Sequence, residues 1–292
     1  MQATEQLAQT RQRYDPRRVL VPVDFSDRSA AAVRWAGEFA RATGAEVALH
    51  HVLPAGHYEG GFGALGDPFH AKQKIIAADL EEIAARDLAG VHHRCEVTQG
   101  QAGPRLAAAA SDADLVVAPT HGRSALASVI LGSVALHLLR NSPAPVLTGA
   151  DLHPRRPLIQ SILCAVDLTS ESRKALDLAA ALAPRFDARL FLLHVVEELG
   201  AEEGEYARTD SDEVTRAVMA QLQELGAQAA APVKRIVAGG QVERAVTRQV
   251  RELGADLLII GRGKLASGEL AVLGNAHAWS LVRESPCPVL CA

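Results

Sequence analysis

The chain repeats itself, and that repeat constrains its fold more than any other feature. The segment RRVLVPVDFSDRSAAAVRWAGEFARATGAEVALHHV from Arg17 returns from Gln160 as QSILCAVDLTSESRKALDLAAALAPRFDARLFLLHV. Asp24 recurs as Asp167 and His51-Val52 as His194-Val195, both at an offset of 143. Ala113-Asp114-Leu115 recurs as Ala255-Asp256-Leu257 at 142, and Ser142-Pro143-Ala144-Pro145-Val146-Leu147 as Ser285-Pro286-Cys287-Pro288-Val289-Leu290 at 143. Four landmarks in register require two domains of one kind. Their length of about 140 residues each lies in the usual domain range. The expected division is an N-terminal extension 1–16, a first domain 17–149, a linker 150–158 and a second domain 159–292. Pro154 and Pro157 break regular structure at the join, where Asp151, Arg155 and Arg156 keep the chain wet.

Within each copy, short apolar runs alternate with amphipathic helical patterns. In the first copy, strands are expected at Arg18 to Val23, Glu46 to Leu53, Arg94 to Thr98, Asp114 to Ala118 and Pro145 to Leu147. Helices are expected at Ser26-Asp27 onward, Ala71 to Leu88, Gly103 to Ser111 and Gly132 to Asn141. The second copy runs the same course. Strands that read as continuous apolar runs between helices imply a parallel sheet covered on both faces. The fold class is therefore α/β: two tandem doubly wound domains, each an open five-stranded, mainly parallel sheet with helices on both faces.

Composition narrows the function. With 48% hydrophobic and 22% charged residues the chain can bury a full core. Its formal charge of −4 supplies no basic field for nucleic acid or an anionic membrane surface. No stretch approaches the ~20 apolar residues of a membrane span and the N-terminus has no apolar leader core, so a cytoplasmic location is expected. The four cysteines form no disulfide framework and are read as reduced and mostly buried. There is no P-loop sequence and no GxSxG elbow. Adjacent histidines such as His50-His51 and His92-His93 point to opposite faces of a strand, so each pair supplies one ligand at most to a metal site, and none is expected.

In an open doubly wound sheet the ligand crevice lies beyond the carboxyl ends of the strands, where strand order reverses. In the first copy this singles out Asp24-Phe25-Ser26, Val52-Leu53 and Thr120-His121-Gly122-Arg123. The helix that opens at Gly132-Ser133 offers backbone N–H groups and a positive dipole end suited to phosphate. At these residues the chain resembles the universal stress protein family over about 17–149 and 159–292. ATP-binding members of that family carry G-x2-G-x9-G-[ST] after the fourth strand. Gly122 and Gly132-Ser133 keep that spacing, and Pro119 stands at the first glycine. In the second copy Gly261 and Gly274 are kept, Lys264 replaces the second glycine, with Gly263 beside it, and Asn275 replaces the hydroxyl residue.

The resemblance implies that Asp24 and Asp167 contact the adenine or ribose end, and that backbone at Val52 and Val195 holds the base. It also implies that Thr120, His121, Gly122, Arg123, Gly132 and Ser133 face the phosphates, with Gly261, Arg262, Gly263, Lys264, Gly274 and Asn275 as their counterparts. ATP, with or without Mg²⁺, is then the expected ligand, with copy one favoured and with a sensor or regulator role in a stress response. The family pairs last strands of two domains, which implies a pseudo-dimer within this chain and leaves a homodimer of the tandem open. Two other readings stand beside it: a nucleotide-free scaffold acting through protein contacts, favoured by Pro119, Lys264 and Asn275, and slow ATP hydrolysis. The glycine-rich stretch Pro54 to His70 reads as a flap over copy one, and its acidic counterpart Glu197 to Asp212 as a solvated loop.

Overall fold

The computed structural model describes residues 14–54, 68–120, 132–149, 152, 158–197, 207–227, 229, 231–262 and 276–292. The strands of copy one are β1 (Arg18–Pro22), β2 (Glu46–Leu53), β3 (His93–Gln99), β4 (Leu115–Val117) and β5 (Val146–Thr148). Its helices are α1 (Asp27–Thr43), α2 (Pro68–Asp87), α3 (Ala102–Ala109) and α4 (Ser133–Asn141). Copy two supplies β6 (Ser161–Ala165), α5 (Ser170–Leu182), β7 (Arg189–Val196), α6 (Ala207–Ala227), β8 (Val233–Gly239), α7 (Val242–Leu253), β9 (Leu257–Ile260), α8 (Ala276–Glu284) and β10 (Val289–Cys291).

Local sequence sets the ends of these elements. Ser26 caps α1 by accepting the Ser29 N–H at 3.2 Å, and Gly44 ends it at φ 79°, where a side chain would be strained. The stripe Ala32, Val33, Ala36, Phe39 and Ala40 is buried against the sheet. The repeated Ala-Asp-Leu has a mechanical reason. Asp114 Oδ2 accepts the N–H groups of Arg17 and Arg18 at 2.8 and 2.9 Å, and Asp256 Oδ2 accepts those of Gln160 and Ser161 at 2.9 and 3.1 Å. In each copy this carboxylate anchors the start of the first strand.

Each copy contributes five parallel strands, in the order β3-β2-β1-β4-β5 and β8-β7-β6-β9-β10. The two sets are not separate sheets. β5 and β10 pair antiparallel, with Leu147 opposite Leu290, and so join all ten strands into one continuous sheet. One face is covered by α1, α2, α5 and α6, whose buried side chains include Trp35, Phe39, Leu80, Leu176 and Leu222. The other is covered by α3, α4, α7 and α8, with Leu106, Leu138, Val246, Val250 and Leu281. Both apolar layers run across the join; Phe39 and Phe186, from different copies, pack with ring centroids 5.6 Å apart. No helix among the described residues is long and apolar enough to cross a membrane. The strand order reverses between β1 and β4 in copy one, and between β6 and β9 in copy two.

Candidate functional site

Beyond β1 the chain turns into α1 through a tight corner. Asp24 Oδ1 accepts the Ser26 N–H at 3.1 Å and its hydroxyl at 2.6 Å, while Phe25 takes the left-handed conformation at φ 62°. For a bulky residue that conformation costs on the order of 1–2 kcal/mol. Copy two builds the same corner from different residues. Asp167 Oδ1 accepts the Thr169 N–H at 3.1 Å and hydroxyl at 2.6 Å, and Leu168 lies at φ 61°. There Ser172 adds a further clamp, accepting the Asp167 N–H at 2.9 Å and donating to the carboxylate. Burial alone would raise the Asp167 pKa, but the bonds from Ser172 and Thr169 outweigh it and hold the carboxyl below its ordinary value. In copy one Ser29, at the same repeat position, donates instead to the Ser26 carbonyl at 2.9 Å.

The end of β2 supports that corner. His51 Nδ1 lies 2.7 Å from the Val23 carbonyl, and in copy two His194 Nδ1 lies 2.8 Å from that of Val166. A carbonyl only accepts, so in both copies Nδ1 carries the proton. The ring of Phe25 packs on His51 with centroids 5.0 Å apart. His50, one residue earlier, turns to the opposite face and is 3% exposed. Its Nε2 meets Thr98 Oγ1 at 2.8 Å and its Nδ1 stands 3.5 Å from Glu96 Oε2, while Arg94 Nε lies 3.3 Å from Glu96 Oε1. Burial pushes the His50 pKa down; Glu96 pulls it up, and Arg94 and His51 add to the lowering. Val52 and Val195, where backbone was expected to hold a base, are half-buried at the ends of β2 and β7.

At the exit of β4 the buried Thr120 donates its hydroxyl to the Gly149 carbonyl at 3.3 Å, and its own carbonyl accepts the Gly132 N–H at 2.7 Å. The N–H of Gly132 itself is therefore engaged, and the N–H groups that the helix start offers are those of the residues after it. Gly132 is the N-cap of α4, bound back to the strand exit, and it makes no side-chain cap. Ser133 is exposed, and the N–H groups of the first turn of α4 have no intrahelical partner. Beside Pro119 a cleft of about 360 Å³ opens between Gly149, Leu152 and α1, lined by Arg28 and Arg34 together with Asp27, whose charge offsets part of theirs. His121, Gly122 and Arg123, and the expected flap, lie outside the described residues apart from the ends of that segment.

In copy two, β9 leads to Gly261 and Arg262, both half-buried. The Arg262 guanidinium was expected to face phosphate, and it does not. It crosses the join and donates to the carbonyls of Ser142 and, at 3.0 Å, Ala144, which lie between α4 and β5 of copy one. Its backbone N–H is bound to the Ala292 carbonyl at 3.1 Å, and burial lowers its pKa. Gly263, Lys264, Gly274 and Asn275 lie outside the described residues.

The structure thus brings Asp24, Val52, Thr120, Gly132 and Ser133 to one carboxyl-end edge, at the point where strand order reverses. The family model described as the universal stress protein family matches residues 16–148 and again 159–292. The chain belongs to the universal stress protein family. A universal stress protein of Mycolicibacterium smegmatis is 30% identical over 198 residues, covering 62% of this chain and 65% of that relative, so the match spans just under two thirds of the relative's length. A universal stress protein of Thermus aquaticus is 31% identical over 135 residues, 44% of this chain and 95% of its own. Among solved structures, a universal stress protein from Archaeoglobus fulgidus has a TM-score of 0.70 at 21% identity, covering 96% of this chain and 98% of its own, which shows the shared fold.

Sequence reasoning carried His51 and His194 only as landmarks of the repeat and missed their bonds to the Val23 and Val166 carbonyls. It also missed the His50, Glu96 and Thr98 cluster. In both cases the signal is the comparison of the two copies at single positions.

Proposed function

We propose that this universal stress protein binds an adenine nucleotide, ATP with or without Mg²⁺, in the crevice of copy one. In this reading it acts as a cytoplasmic sensor or regulator in a stress response. The observation that carries the reading is the start of α4. Gly132 is drawn against the Thr120 carbonyl, so the first-turn N–H groups and Ser133 open beside the exit of β4. A helix N-terminus so placed favours phosphate oxygens. Asp24 and the end of β2 lie across the reversal point, where a base and ribose would fit.

Arg262 supports a different role for copy two. Its guanidinium braces the carbonyls of copy one, so copy two serves as a scaffold locked to the binding half. The chain is in this reading a pseudo-dimer whose last strands already pair, and a homodimer that extended the sheet would use the outer strands β3 or β8.

Calorimetric titration of MgATP into the wild type and into Gly132→Asp tests the nucleotide role. Asp is a good N-cap, so α4 should persist while a carboxylate faces the phosphates. Saturable binding that is lost in the variant is the expected result. No heat in the wild type, with no nucleotide released on denaturing it, would overturn the reading and leave the scaffold.

A further inference from the structure

We infer that His51 and His194 are positioning residues that hold the first-strand aspartates, Asp24 and Asp167, in their ligand-facing corners. For affinity this rests on the nucleotide reading above; for geometry it stands alone. Both polar groups of the residue before each aspartate are held by the neighbouring strand. The Val23 N–H donates to the His50 carbonyl at 2.9 Å and the Val23 carbonyl accepts from His51 Nδ1 at 2.7 Å. The Val166 N–H donates to the Leu193 carbonyl at 2.9 Å and its carbonyl accepts from His194 Nδ1 at 2.8 Å. The aspartate that follows therefore starts from a fixed peptide.

What comes next is strained. Phe25 and Leu168 both sit in the left-handed region, and such a conformation persists only where the surroundings over-determine it. The corner residues change between copies, Phe25 to Leu168 and Ser26 to Thr169, and the residue before the histidine changes from His50 to Leu193. The histidine and the position of its acceptor stay the same, and the distance agrees within 0.1 Å. A histidine present only to fill space has no need to aim Nδ1 at that carbonyl twice. Nε2 of neither ring meets a described residue. Beyond the packing of Phe25 on His51, the polar contribution of each ring is thus one directed N–H.

That definition yields a rescue test in the full chain. Asn places an amide N–H along the same bond path as Nδ1–H, whereas Leu places none. His51→Leu is expected to weaken ATP about tenfold, as loss of one directed hydrogen bond does, and His51→Asn to restore most of it. Hydrogen exchange at the amides of residues 24–26 supplies a readout free of nucleotide: faster in His51→Leu, close to wild type in His51→Asn. The nitrogen shifts of His51 and His194 should report the Nδ1–H tautomer. Unchanged exchange in a folded His51→Leu protein, an Asn variant no better than Leu, or an Nε2–H tautomer would each overturn the assignment. Should His51→Leu fail to fold, His51→Gln, with its amide one carbon further out, replaces it against Asn. A wild type that binds no ATP sinks the nucleotide reading only, and the exchange and tautomer results then decide the positioning role.

Discussion

The two copies share a backbone plan and differ in what they bury beneath their crevices. On the face covered by α3 and α4, copy one places His50, Glu96 and Thr98 side by side on β2 and β3. By strand register, the matching positions of copy two are Leu193, Ile236 and Ala238. A polar cluster in one half is an apolar patch in the other. Buried polar groups weaken a core unless fully satisfied, and His50 Nδ1 and Arg94 Nε are buried without a well-formed hydrogen bond. Copy two has apolar side chains in place of that cluster, and it also extends Arg262 as a brace where copy one has the short Thr120. In the proposed reading, chemistry belongs to the half that keeps Gly122, Gly132 and Ser133, and mechanical support to the other.

The sharpest way to break this division is Arg262→Met. The Ser142 and Ala144 carbonyls would lose a charged donor, and denaturant unfolding should show a loss of about 2–3 kcal/mol. Unchanged stability would mean the brace carries nothing. The reverse experiment grafts the copy-two residues into copy one, as His50→Leu, Glu96→Ile and Thr98→Ala together. Replacing a polar cluster in which His50 is buried and Glu96 and Thr98 are half-buried by apolar side chains should stabilise by about 1 kcal/mol. It should also remove an acid sensitivity. A buried histidine with a lowered pKa binds its proton more weakly in the folded chain than in the unfolded one. Wild-type stability is therefore full above the ordinary histidine value of 6.5 and declines as pH falls below it, whereas the graft should stay level through that window. Glu96, Arg94 and His51 are the charged or titratable groups that act on His50, and thermal melts from neutral pH to pH 5 would follow the effect.

A smaller effect attends the contact across the join, where the Arg140 guanidinium lies 5.5 Å from the Trp279 ring centroid. Arg140→Met should cost about 0.5–1 kcal/mol in the same denaturation assay. The last prediction concerns Asp167, whose clamp copy one lacks. Ser172→Ala should move the Asp167 pKa up toward its ordinary value, read by carbon-detected titration of the carboxyl. Because the wild-type value is lowered, the clamp's stabilising contribution is present above the ordinary aspartate range and lost as pH falls through the folded value. An unmoved titration would remove Ser172 from the account.

Much of this was legible before any coordinate. The repeat, the alternation of strands and helices and the strand-ending Asp24 and Asp167 follow from period and turn chemistry. Glu46 to Leu53 was legible to the residue because both of its ends are marked. Other features depend on which residues register brings together. Nothing local says that Thr98 Oγ1 will meet His50, since 48 residues separate them, or that Arg262 will reach Ser142 across 120. Gly132 showed the opposite limit. Its place in the signature was readable, but the use of its N–H depended on a carbonyl at the exit of another strand.

The antiparallel pairing of β5 with β10 has a consequence for how the halves could come to differ. Where two identical subunits associate, every interface residue appears twice and must suit its own image. Here the partner is tethered by a short linker and is never exchanged, so the association does not depend on protein concentration. A residue at the join then answers to one neighbour only. Arg262 needs no twin at Thr120, because the asymmetry it creates can never meet itself.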